Sequence, residues 1–391
     1  MKSITKGLNY LGTQLRQIGL FIALIVIVLF FQIATEGTTL APINVSNLIV
    51  QNSYILILAV GMVMVIIAGH IDLSVGSVVA FIGAMSGVMI SEWHVPWPLA
   101  VVLCLVLGAL VGAWQGFWIA YFGIPAFIVT LAGMLAFRGA AQIALGNQQI
   151  SFFPTGFRAI GSGFLPTFGD SGYEPLTLVI GLVASLAIVG SAVRQRIIRR
   201  NNDLEGEPLW WFVLKLVFLV ALVLIVTFLL ASYNGTPIVL IILGGLVVAY
   251  TAIMNRSIFG RHIYAIGGNL NAAALSGVKT KRVTFLLFIN MGVIAAIAGL
   301  VFTAGLNLAG PSAGNGFELD AISAVFIGGA AVTGGIGTVP GAIIGGLIIG
   351  VLNNGMSILG VDSDYQLLIK GLVLLAAVAF DVYNKRRSLG R

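Results

Sequence analysis

Between short polar or glycine-rich interruptions, the chain runs in apolar stretches of about 20 residues, the length that crosses a bilayer core as one helix. Reading each stretch as a helix places twelve of them, near 17–34, 47–69, 73–91, 98–121, 126–146, 176–193, 211–231, 236–254, 283–306, 319–334, 340–360 and 365–382. The expected fold is therefore all-α, a polytopic membrane protein of about twelve (10 to 12) transmembrane helices forming one domain over residues 1–391.

Composition agrees with that pattern and excludes a soluble enzyme. Of 391 residues, 59% are hydrophobic and 8% charged, where soluble domains carry about a quarter charged. The 50 glycines lie inside apolar runs and outnumber the 11 prolines, which suits helices packed closely through small residues. Cys104 is the single cysteine, so an internal disulfide or multi-cysteine metal site is impossible, and no metal ligand set is expected. It reads as a small buried hydrophobe. Lys2, Lys6 and Arg16 precede the apolar run Ile18 to Phe31 in the manner of a secretory signal, but no small-x-small cleavage site follows Gln32 to Glu36. That run is expected to be an uncleaved first helix.

A net charge of +7 suggests nucleic acid until the cations are placed. Sixteen of the 20 Lys and Arg fall in four clusters: 3 at the N-terminus, 4 in 194–200, 5 in 256–282 and 4 in the C-terminal tail. Basic loops stay cytoplasmic, and the twelve segments put an even number of crossings between successive clusters. Both termini are then cytoplasmic. The opposite side holds Glu36, Glu92, Asp170, Glu174, Asp362 and Asp364, with Arg158 as almost its only cation. The cations mark the side of a membrane, and no nucleic-acid partner is expected.

Residues 68–77 (AGHIDLSVGS) and 334–341 (GGIGTVPG) interrupt apolar spans in the two halves, each with flanking glycines seven residues apart. Paired interruptions of this kind point to broken or kinked helices around a transport pathway; two ordinary short loops are the other reading. Residues 147–174, rich in Gly, Pro and Phe, form an external loop that either docks a partner or caps the bundle. In the cytoplasmic loop 255–282, Asn269 is placed to N-cap a two-turn helix over Ala272 to Leu275, and Gly277 suits its left-handed stop. Gly267 and Gly268 supply the entering turn, while Arg256, Arg261, Lys279, Lys281 and Arg282 hold the loop at the cytoplasmic surface. A surface helix with a small-residue face fits a cleft on a soluble partner.

A polar cargo crossing such a bundle needs polar or aromatic side chains inside apolar helices. Asn52, His70, Asp72, Trp114, Gln115, Phe127, Arg138, Asn290, Asn353 and Asn354 qualify by position. An intramembrane Asp or Arg is functional by default. Arg138 also has a snorkelling reading, and for Asp72 the favoured reading is a cap on a helix beginning at Leu73. No catalytic set emerges. H-E-x-x-H is absent, and Gly277-Val278-Lys279-Thr280 lacks the Gly-Lys adjacency of a phosphate loop.

The strings FGRHIYAIGGNLNAAALSGV (259–278), AGHIDLSVGS, FRG (137–139), PSAGNGFELDAI (311–322) and NNGM (353–356) resemble the monosaccharide permeases of bacterial ABC importers from about residue 40 onward. The chain is most similar to the xylose-type permeases, which carry an extra hydrophobic pair where this chain has 176–231 with its basic cytoplasmic loop. The resemblance implies a multi-pass protein of the bacterial inner membrane, a homodimer with two cytoplasmic sugar-import ATPase subunits, and a periplasmic sugar-binding protein delivering a monosaccharide, a pentose such as xylose. It implies that 259–278 contacts the ATPase, with Gly260, Arg261, Gly267, Gly268, Asn269, Ala272, Ala273, Ser276 and Gly277 as coupling residues, and that ATP and Mg sit on that partner, none on this chain. At position 70 the related permeases carry other residues, so His70 reads as a hydrogen-bonded histidine near the cytoplasmic mouth. The alternatives are a permease for branched-chain amino acids or nucleosides, and a proton-coupled sugar transporter titrating Asp72 with His70 or Arg138.

Overall fold

The computed structural model describes residues 19–167, 172–202 and 208–389, with side chains described as far as residue 379. Lys2, Lys6, Arg16, residues 17–18 of the first expected helix, Asp170, and the side chains of Lys385, Arg386, Arg387 and Arg391 lie outside the described residues.

The chain is almost wholly helical. From the N-terminal side the helices are α1 (Gly19–Ala34), α2 (Pro42–Ile67), α3 (Val75–Gly87, continued by a wider π turn, Val88–Glu92), α4 (Trp97–Ala120) and α5 (Ala126–Leu145). After the short α6 (Thr155–Ser162) come α7 (Pro175–Asn201), α8 (Leu209–Ala231) and α9 (Ile238–Arg256). The last six are α10 (Ile258–Gly268), α11 (Leu270–Leu275), α12 (Thr280–Leu306), α13 (Phe317–Ile327), α14 (Val339–Ile358) and α15 (Ser363–Leu389). Among the described residues, nine helices are long and apolar enough to cross a membrane: α2, α3 with its π turn, α4, α5, α7, α8, α9, α12 and α14. The protein is a polytopic all-α membrane protein.

α2 is apolar on every side, as a helix enclosed by other helices must be. Every apolar side chain from Ile55 to Ile67 is at most 2% exposed. It runs between α12 and α14, and α12 in turn packs along α4. The α4–α12 contact is made through glycines at 108, 112 and 116: a Cβ at Gly108 would sit 2.5 Å from the Gly292 carbonyl oxygen and 2.6 Å from Ala296 Cβ. Such i, i+4 spacing of small residues lets two helix backbones touch, which matters in lipid, where no hydrophobic force drives helices together. By contrast α7 and α8, the extra pair, bury little beyond Thr177, Gly181, Ser185, Phe212, Thr227, Leu230 and Ala231 and pack mainly on each other. They form a peripheral rib.

Two boundaries depart from expectation. α7 does not stop at 193 but continues to Asn201, so Arg194, Arg196, Arg199 and Arg200 are helical rather than a loop; cations in a last turn favour continuation because they face the negative end of the helix dipole. The expected helix 319–334 is only α13, which ends at Ile327 where Gly328, Gly329, Gly334, Gly335 and Gly337 begin. Eleven residues rise about 16 Å, half a bilayer core. The remainder of that crossing is the non-helical segment 310–316, which leaves the two-stranded sheet of β1 (Ile150–Ser151) and β2 (Leu308–Ala309), paired Ile150 with Ala309 and Ser151 with Leu308. It reaches Gly76, the second residue of α3. This crossing is half a run of turns, with Gly314 and Gly316 at positive φ, and half helical.

The loop 147–174 docks back onto the bundle. α6 lies on α12, with Gly161 against the backbone of Val301 and Gly305, and Phe157 is fully buried. An isolated bridge joins Phe164 to Pro237.

Candidate functional site

Residues 68–74, between α2 and α3, are non-helical yet sit inside the bundle. The Ile71 carbonyl accepts from Thr130 Oγ1 at 3.4 Å, and Ser74 Oγ accepts from Gln115 Nε2 at 2.7 Å. Thr130 is the fifth residue of α5 and Gln115 lies five residues before the end of α4. Irregular backbone at this depth survives only when protein groups satisfy it. Asp72 does part of that: Oδ1 accepts from the Ser74 amide at 2.8 Å and from Ser74 Oγ at 2.6 Å. Asp72 does not cap the helix: α3 begins at Val75 rather than Leu73, its N-cap is Ser74 with no side-chain cap bond, and Asp72 instead closes an Asx turn on Ser74. A buried chain Asp72–Ser74–Gln115 therefore joins the connector to α4.

The equivalent segment 328–338 lies against the first. The Gly335 amide donates to the Ile67 carbonyl at 2.9 Å, and Gly334 and Gly335 both have positive φ (+78° and +76°), so the chain folds back on itself tightly enough to reach it. Both connectors meet α10. Gly267 is seated on the Ile67 carbonyl, leaving no room for a Cβ, and Tyr264 donates its hydroxyl to the Gly337 carbonyl at 2.8 Å. Burial raises the Tyr264 hydroxyl above its usual value, which keeps it a donor at neutral pH. Tyr264, Gly335, Gly337, Thr338 and Phe21 also line a cavity of about 470 Å³.

α10 is capped by Ser257, whose Oγ accepts from the Gly260 amide at 3.0 Å, and α11 by Asn269, whose Oδ1 accepts from the Ala272 amide at 3.0 Å. Gly277 follows α11 at φ +86°. Asn269 and Gly277 thus do what their positions predict, although α11 has six residues and α10 is an additional helix. Of the expected coupling residues, Arg261, Gly268, Asn269, Ala272, Ser276 and Gly277 are exposed, Gly267 is half-buried, and Gly260 and Ala273 are buried. Leu275 stands 91% exposed beside them.

The remaining pathway candidates do not form one site. Asn52 bonds the Leu48 carbonyl of its own helix at 3.0 Å and packs on Gly350. Asn354 and Asn44 exchange two amide bonds, of 2.8 and 3.0 Å, which clamp α14 to α2. Asn290 accepts from the Tyr250 hydroxyl at 2.5 Å, and its amide points at Met64 Sδ. Trp114 and Phe127 are about half exposed, Trp114 with its ring edge on Phe137, 5.8 Å between centroids. His70 lies against Phe288, its ring 5.9 Å away, and among the described residues its side chain has no hydrogen-bond partner of the kind expected for it. Arg138 does not snorkel: it donates to the carbonyls of Pro311 and Ala313, pinning the non-helical half of that crossing, and faces Glu318.

One cluster escapes sequence reasoning. Lys370 on α15 pairs with Asp320 on α13 at 3.1 Å, and Tyr54 on α2 donates to the same carboxylate at 3.4 Å. Asn353 bonds Asp320 as well. Tyr54 stacks on Phe317 at 3.7 Å and meets Phe302 edge-on at 5.5 Å. The cluster ties the half-helix to α2, α14 and α15. A lysine four residues past Gln366 in an apolar run carries no local sign of a partner 50 residues away.

A family model described as branched-chain amino acid transport system / permease component matches residues 44–378. The xylose transport system permease protein XylH of Haemophilus influenzae is 40% identical over 368 residues, 94% of this chain and 96% of that one. The XylH protein of Escherichia coli K12 is 41% identical, covering 94% and 91% of the two chains. The ribose import permease protein RbsC of Bacillus subtilis is 34% identical over 94% of this chain and 93% of its own length. No solved structure matches.

Proposed function

The chain belongs to the branched-chain amino acid transport system / permease component family and is a transport subunit rather than an enzyme; on that premise we propose that it forms the membrane-spanning part of a monosaccharide ABC importer. Its cargo is a pentose, moved from the periplasm to the cytoplasm across the bacterial inner membrane. Two copies of the chain, two cytoplasmic ATPase subunits carrying ATP and Mg, and a periplasmic sugar-binding protein complete the machine.

The observation that carries this reading is the α10–α11 pair. It is presented on the basic side, doubly capped, and seated by Gly267 and Tyr264 on both interhelical connectors. A displacement of α10 by a soluble motor therefore reaches the end of α2 at Ile67 and the segment 328–338 at once, through the Gly267 backbone and the Tyr264 hydroxyl. A proton-coupled carrier has no use for such an exposed element. Its titrating pair is also disfavoured, since Asp72 is engaged by Ser74 and Arg138 by two carbonyls.

Reconstitution decides the matter. Proteoliposomes holding the permease and its ATPase, supplied with the binding protein, should accumulate labelled xylose or ribose only with ATP inside the compartment facing the ATPase. Uptake driven by a proton gradient without ATP would overturn the reading, and ATP-driven uptake of leucine or a nucleoside with neither pentose moved would replace the cargo.

A further inference from the structure

Where the non-helical half-crossing enters the bundle, a cavity of about 310 Å³ opens on the external side between the end of α5 and residues 311–315. That volume sits at the small end of ligand pockets, which run about 300–1,000 Å³. Its lining is polar in a particular way: Arg138 and Gln142 from α5, Asn147 and Gln149 from the loop that follows, and Ser312 and Asn315 from the non-helical segment. Carboxamides dominate, each with two donors and an acceptor. In the buried core several asparagine and glutamine side chains are taken up by neighbours, as in Asn44–Asn354, Asn290–Tyr250 and Gln115–Ser74. Among the described residues, the side chains of Gln142, Asn147, Gln149, Ser312 and Asn315 are engaged by no other residue.

A second observation lies behind the same segment. Glu318 Oε2 is buried without a hydrogen-bond partner, beside Gly76 and the Gly314 carbonyl and facing the Arg138 charge. A buried carboxylate oxygen with no donor is costly to leave so, and it is explained if hydroxyl donors pass it. Pro311, Ser312 and Asn315 of the same segment form one wall of the cavity. That segment is held by Arg138 through the carbonyls of Pro311 and Ala313 and is not braced by helix hydrogen bonds of its own.

We propose that this carboxamide-lined cavity is the external receiving site for the cargo, binding a small neutral polyhydroxylated molecule through Gln142, Gln149 and Asn315 before it passes the 311–316 segment toward Glu318. The inference rests on the monosaccharide reading and adds where the sugar is first held by this chain. Amide groups suit it because each offers donor and acceptor together to a vicinal diol. Arg138 is the positioning residue that holds the wall.

The test uses the reconstituted complex with its ATPase and binding protein, D-xylose and D-ribose as probes, and the variants Gln149→Leu/Asn315→Leu and Gln142→Ala, whose side chains face solvent. Xylose or ribose moved per ATP hydrolysed should fall about fivefold to tenfold, the effect of losing one or two hydrogen bonds to neutral hydroxyls. The ATPase rate at saturating binding protein, and the binding-protein concentration giving half of it, should stay at the wild-type values. Unchanged transport per ATP in both variants overturns the receiving site. A shifted half-saturation with normal transport per ATP overturns it too, and makes this surface the dock of the binding protein. Wild-type complex that moves neither pentose refutes the pentose reading itself, an outcome visible before any variant is measured.

Discussion

Asp72 is where a carboxylate's charge and its hydrogen bonds can be separated by substitution. Its Oδ1 accepts two bonds from one residue, the amide and hydroxyl of Ser74, at 2.8 and 2.6 Å, and the Ser74 oxygen is in turn held by Gln115 at 2.7 Å. Asp72→Asn keeps an acceptor oxygen at the same reach. It exchanges two charge-assisted bonds of about 1.5–3 kcal/mol for neutral ones of about 0.5–1.5 kcal/mol, a loss of about 2 kcal/mol. Removing a buried charge recovers a desolvation cost of several kcal/mol, so the two effects oppose and the net change should lie within about 1 kcal/mol of zero. Asp72→Ala removes the acceptor and strands two buried donors, at about 1–3 kcal/mol each, for a cost of about 2–6 kcal/mol. The assay is thermal inactivation of the purified protein in detergent, paired with ATP-driven pentose uptake in proteoliposomes. Asn should hold near wild-type stability and uptake, and Ala should lose both. A well-folded Asn variant without uptake would refute the argument, because only a need for ionisation distinguishes Asn from Asp at this position.

Gly267→Ala should uncouple ATP hydrolysis from uptake or abolish complex assembly, since its methyl group meets the Ile67 carbonyl and comes within 2.6 Å of the Gly335 amide nitrogen, whereas Gly268→Ala meets nothing within 4 Å and should transport normally. Overpacking of this kind costs about 1–3 kcal/mol; equal behaviour of the two variants in the uptake assay would contradict the seating of α10 on the connectors. Lys370→Met should destabilise by about 3–5 kcal/mol because it leaves Asp320 buried and unpaired, and Lys370→Met with Asp320→Leu should recover most of that loss in detergent melting curves. With Cys104 replaced, a cysteine at Gly172 should react with an impermeant thiol reagent applied from outside intact cells and one at Lys279 should not; the reverse pattern would invert the topology.

What the sequence carries and what it does not divide by distance along the chain. The crossings are legible because each needs only its own run of apolar residues, and the basic clusters orient them. The Asn269 cap and the Gly277 stop are legible because donor and acceptor lie within three residues. The side-chain partnerships that the sequence does not show are non-local. Tyr54 and Asp320 are 266 residues apart, and Arg138 and Ala313 are 175 apart. Residues 319–334 read as one helix because hydropathy does not distinguish a helix from the glycine-rich turn after Ile327, and the non-helical entry before Phe317 is set by Arg138, which no local pattern connects to it. α10 was open to detection: Ser257 is a capping residue, and Phe259, Ile263 and Ile266 fall at helical spacing behind it.

The allocation of polar groups explains how a permease can move a sugar without holding it tightly. In the interior nearly every polar side chain is committed to another: Asn44 to Asn354, Asn290 to Tyr250, Gln115 to Ser74, and Asp320 to Lys370, Tyr54 and Asn353. Each pair fixes one helix on another, and a sugar hydroxyl would have to displace a protein partner to use it, gaining little because one hydrogen bond replaces another. The carboxamides without a protein partner lie at the external cavity, and Glu318 Oε2, one of several buried polar atoms without a partner among the described residues, lies further in beside Gly76. On the proposed path, cargo would leave neutral amide groups at the entrance for a single carboxylate acceptor, and release toward the cytoplasm would follow parting of the contacts that Gly335 makes with Ile67 and Tyr264 makes with Gly337.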